Sequence, residues 1–415
     1  MTPEKLEKAR PPLLGKDEAR RLCIALIEAE QDRLLREGRI DRTSMIGARL
    51  AGAGTIDPDD LLIDEATLGF DSLSLLDLIM SLNRYFGLAS TGVEDYLLVQ
   101  RRLGDWADLV AHHFELVGRD AEITFTTSGS TGPGKLIRHG RDVLEAEMSG
   151  VADLLQPYLR PDTRVLSMVA PLHIYGFLWA CLLPRMTGLE VRDIGALSPT
   201  RLLREARSGD IVLGTPFTWA QLAKTGGRLP DDVTGVSAGA TSTRDTWQAV
   251  AEIGLDRLID IFGSTETGGV GMRAEEGTPF TLLAHLTRCG EDIARKSDPT
   301  TPLALQDRLD WTDARAFRVL GRNDTVVQIA GTNVNPDAVR EVLRADPAVA
   351  DAAVRLDGDR LKAFVVPTDG AGDTGPLETA LRDRVNRELP APARPDRFTF
   401  GPRIPRNAIG KLADW

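Results

Sequence analysis

Along residues 17–38, Leu22, Ala25, Leu26 and Ala29 fall on one face and Arg and Glu on the other, which predicts an amphipathic helix. A second stripe, Leu75, Leu78, Ile79, Leu82 and Phe86, predicts another helix, with Ser72 as its N-cap after Asp71. A third covers about Trp106–Phe114. The period then changes. Residues 121–126 alternate apolar and polar, the spacing of a strand. Helical spacing returns from about Arg141, with Val143, Leu144 and Met148 on one face. From there to residue 320, short apolar runs (164–169, 210–213, 235–238, 258–262) alternate with helical segments, the pattern of a largely parallel α/β sheet. Residues 270–305 carry no good period and read as irregular. After 320 the style changes to strands at 317–320, 326–329, 349–355 and 360–366 and helices at 336–343 and 378–387, a small α+β module. The division expected from this pattern is a tail at 1–16, a helical segment at 17–118, a large α/β domain at 119–323 and a small C-terminal domain at 324–415.

Composition narrows the function classes. With 415 residues, 42% hydrophobic and 27% charged, the chain has room for two or three domains with real cores. A net charge of −11 argues against a nucleic-acid footprint, though a local basic pocket for an anionic nucleotide remains compatible with it. Cys23, Cys181 and Cys289 are far apart, without metal spacing, and read as reduced thiols of a cytoplasmic protein. The charged start MTPEKLEKAR, without an apolar core, does not read as a signal peptide. The uncharged run from Val165 to Pro184 approaches membrane-span length, but Pro171, His173 and Gly176 interrupt it. It reads as a buried strand, a loop and a buried helix, with no membrane partner.

The strongest chemical signal is TFTTSGSTGPGKLIRH, residues 124–139, read as a loop joining a strand to a helix. Gly129, Gly132 and Gly134 let backbone N–H groups face a ligand. Thr127, Ser128, Ser130 and Thr131 add hydroxyl donors, and Lys135 adds a point charge suited to phosphate. Gly129–Lys135 fits the first seven positions of a Walker loop, but Leu136 stands where a Ser or Thr should ligate Mg²⁺. A polyanion site therefore fits, and a Walker fold does not. Four weaker clusters could serve the same ligand. In Ile261–Glu266 an aromatic, Phe262, could stack on a purine, and Glu266 could hold Mg²⁺ near phosphates; a helix-capping turn is the bland alternative. Residues 237–241, with Gly239 and Ala240, form another small-residue strand end, where ligands of α/β sheets bind. Residues 321–324 and 405–412, taken alone, could be a linker and a solvated tail.

In this order, TSGSTGPGK, PLHIYG, FGSTETG, GRNDTVVQIAGTNVNP and PRNAIGK resemble motifs of the adenylate-forming superfamily of acyl-CoA synthetases, adenylation domains and luciferases. The resemblance covers about residues 120–415. It implies an adenylate-forming fold with a truncated N-terminal domain and a small mobile C-terminal lid. It implies an ATP- and Mg²⁺-dependent ligase that makes an acyl-AMP, releases pyrophosphate, and passes the acyl group to a thiol, either CoA or a carrier protein's phosphopantetheine. Residue by residue, Thr127–Lys135 would grip the β- and γ-phosphates, Gly239 and Ala240 would line the adenine and acyl pockets, Phe262 would stack near the purine, and Gly263 and Ser264 would also bind the nucleotide. Thr265 would touch the α-phosphate and Glu266 would bind Mg²⁺. Asp307 would meet the ribose, although Gln306 replaces the usual preceding glycine, and Arg322 would reach the ribose or phosphate. Asp324 resembles the hinge, and Lys411 the catalytic lysine. Glu266 and Asp307 lie 41 residues apart, closer than usual in the family, which puts its small β-barrel subdomain in doubt.

His173 and Tyr175 resemble residues beside the acyl pocket of aryl-acid ligases. Trp219 and Phe217 could form another wall, or could equally be core. An aryl or short unsaturated acid is the expectation; some relatives activate other oxyanions. LGFDSL at 68–73 resembles the phosphopantetheine site of carrier proteins, centred on Ser72, but short adenylating proteins of secondary metabolism have a similar segment within their own fold. Two readings from other classes remain: a phosphate-loop NTPase, which Leu136 disfavours, and an idle binding scaffold, which Glu266 and Lys411 disfavour.

Overall fold

The computed structural model describes residues 10–52, 57–127, 135–195, 198–240, 242–322, 327–329, 332–358, 360–368, 374–406 and 412–415. The chain divides into two compact units, one of residues 1–287 and 294–301 and the other of residues 288–293 and 302–415.

The first unit begins with the helices that the apolar stripes anticipate: α1 (Lys16–Arg36), α2 (Ser72–Phe86) and α3 (Leu103–Val117). Their buried faces, including Leu22, Leu26, Leu78, Leu82, Trp106 and Phe114, share one hydrophobic core with Ile123, Phe125, Leu144 and Met148. That shared core is why the expected boundary at 118/119 does not separate compact units, and the other expected boundary, at 323/324, falls inside the second one. The start of α2 also differs from expectation. Asp71 is the N-cap: its carboxylate accepts the Ser74 N–H at 2.8 Å, leaving Ser72 as the first helical residue, exposed. An aspartate one residue earlier outcompetes the serine because its carboxylate reaches N3 and is held from behind by Arg39.

Next come β1 (Glu122–Thr126) and β2 (Leu136–Gly140), paired antiparallel from Glu122↔Gly140 to Thr126↔Leu136. The glycine-rich loop is thus a hairpin connection rather than a strand-to-helix turn, because residues 136–140 pair with β1 before α4 (Arg141–Leu155) begins. The parallel sheet follows: β3 (Arg164–Ser167), β4 (Glu190–Asp193), β5 (Ile211–Gly214), β6 (Thr234–Ser237) and β7 (Arg257–Ser264), with α5 (Pro216–Ala223) and α6 (Arg244–Glu252) between the later strands. β8 (Gly268–Arg273) and β9 (Phe280–Leu282) then extend it antiparallel, giving the order β9-β8-β7-β6-β5-β3-β4 in this unit. The run after β3 forms the loop and helix expected of it, with a π-helical turn at Leu178–Leu182.

The region expected to be irregular is instead β-rich. Besides β8 and β9 it holds a three-stranded sheet of β10 (Leu286–Cys289), β11 (Asp292–Arg295) and β12 (Asp298–Leu303). These short strands escape a period-2 reading for different reasons: β12 is exposed along most of its length, whereas β8 is buried at its first four positions, three of them glycine, and so shows no alternation. In the second unit, β13 (Asp307–Trp311) and β14 (Ala316–Arg322) form a hairpin, and β15 (Val327–Ile329) pairs with β16 (Thr332–Val334). The α+β module follows as α7 (Pro336–Arg344), β17 (Val349–Asp357), β18 (Arg360–Pro367), α8 (Gly375–Glu388) and β19 (Pro395–Phe400). Its core joins Leu343, Val349, Ala363, Val365, Leu381 and Val385.

Candidate active site

The mouth of the glycine-rich loop is closed by a reciprocal pair. The Thr127 N–H donates to the Lys135 carbonyl at 2.9 Å, and the Lys135 N–H donates to Thr127 Oγ1 at 3.0 Å. The loop is therefore anchored at its base, with Lys135 exposed beside it. Ser128, Gly129, Ser130, Thr131, Gly132 and Gly134 lie outside the described residues.

The second piece is the turn after β7. Ser264 and Thr267 brace it reciprocally, each hydroxyl accepting the other's backbone N–H at 3.3 Å. This leaves Thr265 and Glu266, both half-buried, at its tip. A Cβ on Gly263 would sit 2.2 Å from the Gly268 carbonyl oxygen, so that position requires glycine. The two pieces meet although they are distant in sequence: His139 Nε2 on β2 lies 2.7 Å from the Thr265 carbonyl oxygen. The carbonyl only accepts, so Nε2 carries the proton. Burial holds the His139 pKa below its ordinary value and keeps the ring neutral at neutral pH.

The neighbouring strand ends supply the next residues. Gly239, just past β6, has φ +84°, a backbone conformation that favours glycine, and it is exposed together with Ala240. On β7, Phe262 is half-buried with its ring 5.7 Å from that of Phe280. β7 is braced from inside by Asp260, which accepts from Ser242 Oγ at 2.6 Å and from Arg273 Nε at 2.8 Å.

At the end of β3, His173 is exposed, and desolvation by the surrounding protein lowers its pKa. Tyr175 donates its hydroxyl to the Val236 carbonyl at 2.8 Å, tying this segment to β6. A Cβ on Gly176 would lie 2.1 Å from the Ala170 carbonyl oxygen, which fixes the tight entry to the helix. Trp219 departs from the expectation of a pocket wall. It is 0% exposed, and its ring fills the space under Gly214 and Gly235, making it core. Phe217, on the same helix, is exposed. The physical reason is periodicity: on α5 Trp219 points at the sheet and Phe217, two residues earlier, points away.

A cavity of about 990 Å³ opens between α1 and the ends of β3 and β4, with His173 on its lining. Its lining carries six carboxylates, Asp17, Glu18, Glu28, Asp32, Glu190 and Asp193, against three arginines, Arg20, Arg21 and Arg185, a net negative wall that does not suit a polyphosphate. In the second unit, Asp307 and Arg322 are cross-strand partners on β13 and β14. Asp324 and Lys411 lie outside the described residues; the bridge between Arg406 and Leu412 flanks the lysine.

Among the described residues no three His, Cys, Asp or Glu side chains cluster in a way that could hold a metal ion by themselves. A single half-buried carboxylate such as that of Glu266 fits Mg²⁺, which takes one or two carboxylates and completes its shell with phosphates and water. Among the described residues, too, no helix is long and apolar enough to cross a membrane.

Sequence reasoning missed His139, Asp260 and Glu147. His139 and Asp260 adjoin the motifs but carry no spacing signal, and Glu147 sits unmarked on an amphipathic helix.

Residues 111–292 match the AMP-binding enzyme family, and residues 338–411 match the AMP-binding enzyme C-terminal domain. The chain is 49% identical over 403 residues, 97% of each chain, to the 4-coumarate–CoA ligase of Cereibacter sphaeroides. It is 41% identical, over 95% of its length and 99% of the relative's, to that of Rhodobacter capsulatus. Among solved structures, ATP-bound MatB from Rhodopseudomonas palustris resembles it with a TM-score of 0.58 at 16% identity, covering 94% of this chain and 91% of that one. At that identity the likeness speaks to the fold.

Proposed function

The chain belongs to the family of AMP-binding, adenylate-forming enzymes, and from that premise we propose that it joins 4-coumarate, or a similar aryl-propenoic acid, to CoA. The class of reaction is the family's: an ATP-dependent, AMP-forming acid–thiol ligation. The observation that carries the choice of acid is near-full-length identity, 49% and 41%, to two 4-coumarate–CoA ligases. The first of these alignments covers 97% of the chain and so takes in the helical residues 16–117, which supports reading them as part of the enzyme rather than as an attached carrier protein. CoA is therefore the proposed thiol, with no carrier-protein partner and no phosphopantetheine on Ser72. Three cysteines without disulfides support a reducing, cytoplasmic setting.

The substrate carboxylate attacks the α-phosphorus of ATP, the bond to the bridging oxygen breaks, and pyrophosphate leaves. Two anions must approach, so positive charge and hydrogen-bond donors must face the developing charge. Thr127–Lys135 is the proposed cradle for the departing pyrophosphate. Thr265 is the proposed donor to the α-phosphate, and Glu266 the holder of Mg²⁺, which supplies charge neutralisation when bound. The hydrogen bond from His139 to Thr265 supports placing these two groups at one ligand. Lys411 is proposed to meet the α-phosphate charge, and Asp307 and Arg322 the ribose. In the second step the CoA sulfur attacks the acyl carbon and AMP leaves. Movement about Asp324 between the steps is the proposed means of exchanging Lys411 for the thiol. His173, Tyr175 and Gly239 are proposed beside the acid.

The test is pyrophosphate release over a panel of aromatic, cinnamic and aliphatic acids, with and without CoA. The expected result is the highest kcat/KM with 4-coumarate, with AMP and a thioester as products. An aliphatic acid as best substrate overturns the choice of acid; ADP as the only nucleotide product overturns the reaction.

A further inference from the structure

Glu147 lies outside every motif that pointed to the site, yet it is 3% exposed and sits against the site's central turn. From α4 its Oε1 accepts the Gly269 N–H at 2.9 Å. A Cβ on Gly268 would lie 2.3 Å from Oε2, and one on Gly269 would lie 2.6 Å from Oε1, so the paired glycines let the carboxylate reach the backbone. Gly268 also has φ +74°. Four residues upstream, His139 holds the Thr265 carbonyl at 2.7 Å. The stretch 265–269, with Thr265 and Glu266 in it, is thus held by two buried side chains, one from β2 and one from α4, in addition to the Ser264–Thr267 bracing and the pairing of Gly268 and Gly269 with β7. His285 Nε2 is 4.0 Å from Glu147 Oε2, and its own Nδ1 is buried without a hydrogen-bond partner. Arg295 adds a positive charge nearby, with its Nε likewise buried and unpartnered.

Burying a carboxylate is costly, and core packing alone would be met by leucine. What leucine cannot supply is an acceptor for Gly269. Without one, that N–H is left buried and unsatisfied, and two consecutive glycines recover backbone freedom that the folded turn must suppress. We propose that Glu147 is a positioning residue for adenylate formation: by accepting the Gly269 N–H it fixes the turn that presents Thr265 and Glu266 to the nucleotide. The proposal rests on the roles given above to those two residues. It acts on the first half-reaction, because displacements of about 1 Å in groups that meet the transition state cost on the order of 10²-fold in rate.

The experiment compares Glu147→Leu, which keeps the bulk and loses the acceptor, with Glu147→Gln, which keeps both. Acid-dependent exchange of pyrophosphate into ATP reads the first half-reaction, and thioester formation from a supplied acyl-adenylate reads the second. Melting temperature and titrated active sites correct for folding. Gly269→Ala tests the same contact from the other side, pushing a methyl against Oε1, and also against Leu283 Cδ1, while leaving Glu147 in place. Expected for Glu147→Leu and Gly269→Ala is a loss of about 10- to 100-fold in kcat of exchange, with KM for ATP and the second half-reaction within about 3-fold. Glu147→Gln stays within about 3-fold of wild type throughout. Exchange at the wild-type kcat in Glu147→Leu overturns the proposal, as do equal losses in Leu and Gln or a loss in KM alone. A wild type without acid-dependent exchange overturns the reading of the reaction, and this proposal with it.

Discussion

Glu147 also makes stability depend on pH in a direction opposite to that of most carboxylates. Burial pushes its pKa up from 4.5 to about 8, opposed by the Gly269 N–H and by Arg295. The unfolded chain releases this proton near pH 4.5, and the folded chain keeps it until about pH 8. Between those values the folded state binds more protons, so raising the pH costs stability. The cost is absent below the lower value and complete above the upper one. A gap of roughly 3.5 units at about 1.36 kcal/mol each gives a limit of about 5 kcal/mol. Glutamine cannot ionise and escapes it. The stability of Glu147→Gln relative to wild type should therefore grow by about 3–4 kcal/mol between pH 5 and pH 8.5. Other groups share the background and cancel in the difference. His285, the facing imidazole, is pushed down to about 4 by burial, Arg295 and Lys296, so in the fold it stays neutral throughout this window. Urea unfolding followed by tryptophan fluorescence measures the effect, since Trp106, Trp179, Trp219 and Trp247 all lie in the same unit as Glu147. A difference flat to within about 1 kcal/mol over that range would refute the reasoning, because an ionisable group with a raised pKa cannot leave the curve unchanged.

Other expectations follow from single contacts. Lys411→Ala should lose pyrophosphate exchange by orders of magnitude while ATP binding changes little; exchange at the wild-type rate would remove the role given to the lysine. Trp219→Ala should cost about 3–5 kcal/mol by leaving a cavity beneath β5 and β6, read as a fall in unfolding free energy. A shift in acid preference without loss of stability would return Trp219 to the acid pocket. Ser72→Ala should keep full thioester formation, because Asp71 caps α2 and the serine hydroxyl is not needed there. If incubation with CoA and a phosphopantetheinyl transferase adds mass to the wild type and none to that variant, the carrier reading of Ser72 stands instead.

What the sequence disclosed, and what it hid, follows one physical division. Amphipathic helices announce themselves because burial repeats along the chain: Leu75, Leu78, Ile79, Leu82 and Phe86 all mark the same face of α2, and four of the five are essentially fully buried. A phosphate-loop candidate is legible because backbone donors need glycines close together in sequence. Pairing partners are another matter. Leu136–Gly140 looks like the approach to a helix because its partner strand lies across a loop, and only the hairpin register makes it β. Trp219 could be wall or core because an indole serves both, and only the glycines at 214 and 235, on two other strands, decide between them. Glu147 is the extreme case. One carboxylate among the polar residues of a helix carries no period, and its meaning comes from a backbone N–H more than a hundred residues away. The trace it leaves is at the other end of the contact: in FGSTETGG the Gly268–Gly269 pair marks where something buried approaches the backbone. A Cβ there would meet a carboxylate oxygen at 2.3 or 2.6 Å, so the pair and the glutamate are one device written at two places in the chain.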